Sequence, residues 1–325
     1  MRSHWRRGAA LAAALGAALA VGGLALAAGA EPPLRAMRWA PRDADPARAF
    51  ATQPAECLKP PPTDPAAALS VEIGRAAFRA PVLLGGQAAR AGLSCEACHR
   101  GGRTNPDFLF PGASGAPGTA DVTLSLFSSH RGDGAFNPRP IPDLSGPRMA
   151  LKVAPADLPA FIHGLITQEF DGPEPPPAVL AGLAAYVRAL DPAACPAPGR
   201  TPLTVAFLMA DARRALAAAR GALDQGDRPT ARLMIASARA RLFLIDERFA
   251  ALPAEQARLR TADAGLAALQ AKVSSGAPDA AAALDRWLAE SRPLEARLAA
   301  RAPQSLFDPK RLAAASNRRL PARPS

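Results

Sequence analysis

At 325 residues the chain has room for two modest domains, or for one large one with tails, and its 49% hydrophobic residues supply a core. Aromatics are only 5% of the chain and prolines number 35, so that core is built mainly from Leu, Ala and Val. The net charge of +11 is concentrated late, residues 201–325 holding 20 Lys and Arg against 12 Asp and Glu; in a chain that begins like an exported protein this excludes nucleic acid as the partner and favours an Arg-rich helical surface facing water, anionic lipid or an acidic protein.

Residues 1–30 read as a targeting segment. "MRSHWRR" is basic, the following run of Ala, Leu, Gly and Val is uncharged, and small residues before Ala30 suit cleavage. The alternative is retention, with residues 8–30 as an inner-membrane anchor, since about 20 apolar residues span a bilayer. Either way the mature chain is expected outside the cytoplasm, in the periplasm or beyond. Residues 31–65 carry Pro throughout without a sustained period and are expected as an extended linker that gives reach from the membrane or wraps the domain behind it. From Pro65 a helix is predicted, with Leu69, Ile73, Ala77 and Phe78 on one face and Asp64 as its N-cap.

The segment "GLSCEACHRGG", residues 92–102, sets Cys95 and Cys98 two residues apart and His99 directly after. At that spacing two thiols add to the two vinyl groups of one haem while the adjacent imidazole reaches the iron. A redox dithiol would call for a strand–helix context that is not visible here. A zinc site would call for a second Cys or His pair nearby, and the other cysteines, Cys57 and Cys195, are 38 and 97 residues away. One covalently attached haem c is therefore expected, with Cys95 and Cys98 as thioether anchors and His99 as proximal ligand. Two cysteines then remain, and in an oxidising compartment Cys57 and Cys195 are expected to pair, stapling the ends of one domain; the alternative is two buried free thiols.

Gly101 to Pro155 is rich in Gly, Pro, Ser and Asp and reads as a long loop. Helix resumes with Leu158, Phe161, Ile162, Leu165 and Ile166, breaks at "DGPEPPP", and returns with Leu180, Leu183, Ala184, Val187 and Leu190. After Thr201 four amphipathic segments follow, broken at Gly226-Asp227, at Pro253 and at "SSGAP". They predict an up-and-down bundle over 201–302, with a helix-hairpin repeat as the alternative. This part holds no His or Cys; Met234 and Trp287 are expected in its core, and its charged residues are expected to be solvated. Residues 303–325 are expected as a disordered tail.

Residues 66–192 resemble a class I type cytochrome c domain, through the helix with Gly74 and Phe78, the "CEACH" motif and the late helix with Tyr186. More narrowly, "GRAAFRAPVLLGGQAARAGLSCEACHRGG", "HRGDG" and "LPAFIHGLITQEFDG" are similar to one haem domain of the bacterial di-haem cytochrome c peroxidase family. The resemblance implies an all-α fold in which a mono-haem cytochrome c-like domain, 66–195, precedes the antiparallel bundle. It covers about two-fifths of the chain, and this chain has a single haem motif where those peroxidases need two.

The distal ligand is open. His163 lies at a spacing resembling the distal ligand of this class, its alternative being a helix-surface or core histidine. Met149 offers a thioether, or fills core. His130 lies in a loop resembling the distal loop of the peroxidase family, where it is a ligand, an acid–base group or simply solvated. Arg131, Arg139 and Arg148 suit haem carboxylates. The expected function is single-electron transfer with a redox partner protein and no self-sufficient catalysis. The alternatives are a peroxidase-like haem enzyme and a haem subunit of a larger respiratory complex.

Overall fold

A computed structural model describes residues 32–123, 126–130, 132, 134–146, 154, 156–195 and 199–317. The predicted leader, Met149, Arg131, Asp133 and Arg148 lie outside these residues. Helix accounts for 62% of the structure and strand for 4%, which makes the fold all-α. No helix among the described residues is long and apolar enough to cross a membrane.

The first long helix, α1 (Pro65–Phe78), starts where local chemistry dictates. The Asp64 carboxylate accepts the Ala67 amide at 2.8 Å, and Pro65 occupies the first turn, where no backbone donor is missed. Two short helices follow, α2 (Gly86–Ala91) and α3 (Cys95–Cys98). After the loop come α4 (Leu158–Gly164), continued by a wider turn over Leu165–Glu169, and α5 (Pro177–Ala189). Helices α1 and α5 cross at backbone contact: a Cβ on Gly74 would lie 1.8 Å from the Gly182 carbonyl oxygen, so only glycine allows this approach.

Four long helices succeed them: α6 (Val205–Asp224), α7 (Arg228–Asp246), α8 (Pro253–Ser275) and α9 (Ala280–Arg301). Thr204 caps α6 by accepting from the Phe207 amide, and Asp227 caps α7 by accepting from Thr230. Gly226 and Gly276, both in the left-handed region, turn the chain at the breaks read from the sequence. Each helix packs on the next and α9 returns to α6, while α1 packs on α6 and α7. One apolar core accordingly runs from Ile73 and Tyr186 through Leu208 and Met234 to Trp287, shared by α1, α5 and the four long helices. Met234 and Trp287 are buried in it.

Two flanking stretches pack on the body. Residues 32–58, expected as a linker that gives reach or wraps the domain behind it, take the second course: Leu34, Met37, Ala49 and Phe50 are buried. Strand β1 (Thr52–Pro54) pairs antiparallel with a late strand (Arg200–Pro202), Gln53 opposite Thr201. A second small ribbon, β2 (Thr119–Ala120) with β3 (Arg139–Pro140), ties the long loop to itself, making the late strand β4. Residues 303–317, expected as tail, form a turn and helix α10 (Pro309–Asn317), whose Leu312 joins Leu34, Met37 and Phe50 in a separate apolar cluster. In both stretches a few large apolar side chains spaced among prolines and charges are enough to dock the chain, although they make no periodic pattern.

Candidate functional site

Helix α3 is a single turn made of the motif itself. The Ala97 amide bonds the Ser94 carbonyl and the His99 amide bonds that of Cys95, so Cys95, Cys98 and His99 are held within one turn of backbone. Gly101 and Gly102 follow in the left-handed conformation; a Cβ on Gly101 would meet the Pro54 carbonyl at 2.6 Å, and one on Gly102 would meet the Leu190 side chain. The chain can thus turn tightly out of the motif between β1 and the end of α5. Asn105 closes the turn from below, its side chain donating to the Ala97 carbonyl and its amide to that of Cys98.

His99 is oriented from one side. Its Nδ1 lies 3.0 Å from the carbonyl oxygen of Pro142, which only accepts, so Nδ1 carries the proton and Nε2 keeps its lone pair. The Pro142 loop is itself held: Thr104 donates to the Ile141 carbonyl, and Arg103 Nε donates to Asp143 at 2.5 Å. Burial opposes ionisation of Asp143, but Arg103 and Ser145 hold its carboxyl below the usual range. The Phe78 ring stands 6.4 Å from the imidazole.

Cys95 and Cys98 are not bridged to each other. The two cysteines and His99 keep part of their surface accessible. Burial nonetheless pushes both thiols up to about 12 and His99 down to about 4, so at neutral pH all three are uncharged. Such thiols are poor thiolate ligands, while a neutral imidazole with a fixed tautomer is a competent one. Among the described residues no three His, Cys, Asp or Glu side chains converge to hold a metal ion. Cys57 and Cys195 are joined in a disulfide, their Cα atoms 5.1 Å apart, and Arg103 reaches the Cys57 sulfur at 3.5 Å.

The structure also locates the other histidines. His163 on α4 sets Nε2 2.8 Å from a Glu174 oxygen, and because a carboxylate only accepts, that nitrogen carries the proton. His130 Nδ1 lies 3.0 Å from Asp171, which also accepts the Ser129 amide. Asp171 has φ of 49° beside Gly85, where a Cβ would strike the Asp171 carbonyl. Arg139 is exposed on β3.

Behind the motif lies a feature that the sequence reading missed. Glu96, between the two cysteines, pairs with Arg79 at 2.9 Å and with Arg241 of α7 at 2.8 Å. Arg79 and Arg75, one turn apart on α1, also reach Glu56 and the α6 residue Asp211, and Tyr186 donates to Glu56 at 2.6 Å. Burial alone would raise these carboxyls, but Arg79 beside Glu56, Glu96 and Asp211 holds all three below their ordinary range. Asp211 and Arg241, expected among solvated charges, are 5% exposed each, because they answer charges brought from α1 and α3. The only local signal was Arg75 and Arg79 at i, i+4 at the end of a helix otherwise rich in Ala.

No protein-family model, curated protein or solved structure matches this chain.

Proposed function

We propose that the chain is an exported mono-haem c-type cytochrome that passes single electrons to or from a redox partner. In this reading residues 66–195 form the class I-like haem domain, related to one haem domain of the di-haem peroxidases, and α6 to α9 form the C-terminal bundle. The observation that carries it is one helical turn with two uncharged thiols and an imidazole whose Nδ1 is bound to Pro142 and whose Nε2 is left as a ligand. That donor set fits a covalently held haem, which supplies a one-electron iron couple when bound. Cys95 and Cys98 would hold it through thioethers and His99 would ligate the iron. The Pro142 bond fixes the ring and raises the basicity of Nε2. Glu96, clamped by Arg79 and Arg241, ties the turn to the end of α1 and to α7.

The test is a pyridine haemochrome assay with intact mass on protein expressed with a haem-attachment system. The expected result is one haem per chain, still bound after denaturation, and its loss in Cys95→Ala/Cys98→Ala. A chain that stays colourless, with both thiols open to alkylation, would overturn the reading.

A further inference from the structure

Beside α3, and not lined by Cys95, Cys98 or His99, lies a cavity of about 300 Å³, which is the lower end of small-molecule sites and space for about ten waters. Glu96, Ala97 and Arg100 of the motif segment form one wall, α7 another, and the folded N-terminal stretch a third. Its carboxylates are all taken. Glu96 is bound by Arg79 and Arg241, Asp107 by Arg48 at 2.5 Å, and Glu247 accepts the Arg35 amide at 2.9 Å and Arg248.

Its donors are not all taken. Gln53, 3% exposed, leaves Nε2 without a partner, and Arg241, 5% exposed, leaves Nε without one. Arg100 donates to the Ala49 carbonyl and meets no carboxylate at ion-pair distance among the described residues. A cavity with buried surplus donors and surplus positive charge is completed by an acceptor, and an anion satisfies both at once. Trp39, Phe50 and Phe108 also line it, too much ring surface for an inorganic ion alone.

We propose that this cavity binds a small organic carboxylate, its charged end at Gln53, Arg100 and Arg241 and its apolar body against Trp39, Phe50 and Phe108. The site is separate from the haem reading and stands or falls without it. The test is isothermal titration calorimetry on the full-length protein as purified, with phenylacetate, its neutral analogue phenylacetamide, and inorganic phosphate as probes. Phenylacetate is expected to bind one per chain, at least tenfold tighter than either other probe. Gln53→Leu, with an unchanged circular dichroism spectrum, is expected to weaken it at least fivefold. No saturable heat with phenylacetate, equal binding of the amide, or an unaffected Gln53→Leu variant would overturn the anion site. Phosphate binding as tightly as phenylacetate would overturn the role given to the aromatic walls.

Discussion

His99 and His163 are both held by an acceptor, but through opposite nitrogens, and that difference decides what each ring offers. In His99 the proton sits on Nδ1 and Nε2 is free; in His163 the proton sits on Nε2, facing Glu174. With haem loaded, His163→Ala is therefore expected to leave the spin state of the iron unchanged, as read from the optical spectrum; conversion to high spin would identify His163 as the distal ligand. That Cys95, Cys98 and His99 share one turn was legible because their spacing along the chain is local. Pro142 was not, because a carbonyl acceptor 43 residues away has no side-chain signature.

Between helices, the controlling contacts are close approaches and buried charge. Ala in place of Gly74 would drive a Cβ into the backbone of α5, which cannot swing aside. A loss of about 3 kcal/mol is expected, at the upper end of overpacking penalties, with a thermal midpoint several degrees lower. Replacing Arg79 by Met would leave three buried carboxylates, Glu56, Glu96 and Asp211, to only two guanidinium groups, Arg75 and Arg241, and a loss of about 3 kcal/mol is expected in denaturant titration at pH 7. The sign with pH follows from the depressed carboxyls. Their contribution is full above the ordinary carboxylate range, near pH 5, and is given up as pH falls toward their lowered values. Acid unfolding of the parent is expected below pH 4, and that of Arg79→Met at higher pH; coincident acid midpoints would remove the network as the cause. Helices such as α1 and α6 could be read from apolar period and cap residues. The network could not, because each of its charges, seen on its own helix, is indistinguishable from one facing water.

For the molecule as a whole, the Cys57–Cys195 bridge closes a 138-residue span that contains the motif, α1 and α5. In the chain-entropy account such a loop contributes up to about 5 kcal/mol, so Cys57→Ala/Cys195→Ala is expected to lower the urea midpoint and to steepen the transition, because the uncrosslinked unfolded chain exposes more surface. The single core joining α1 and α5 to α6 and α7 also predicts one cooperative transition by circular dichroism; two separated transitions would contradict it.

The docking of α10 against the first folded residues has a topological consequence. Leu34 and Met37 share an apolar cluster with Leu312, and the Ser316 hydroxyl lies 3.9 Å from the Met37 sulfur. The two ends of the folded body are therefore neighbours, and its path in space is nearly a closed ring. Joined by a few residues there and opened instead at the exposed turn around Gly276, a circularly permuted chain would meet the same neighbours in a different order of synthesis.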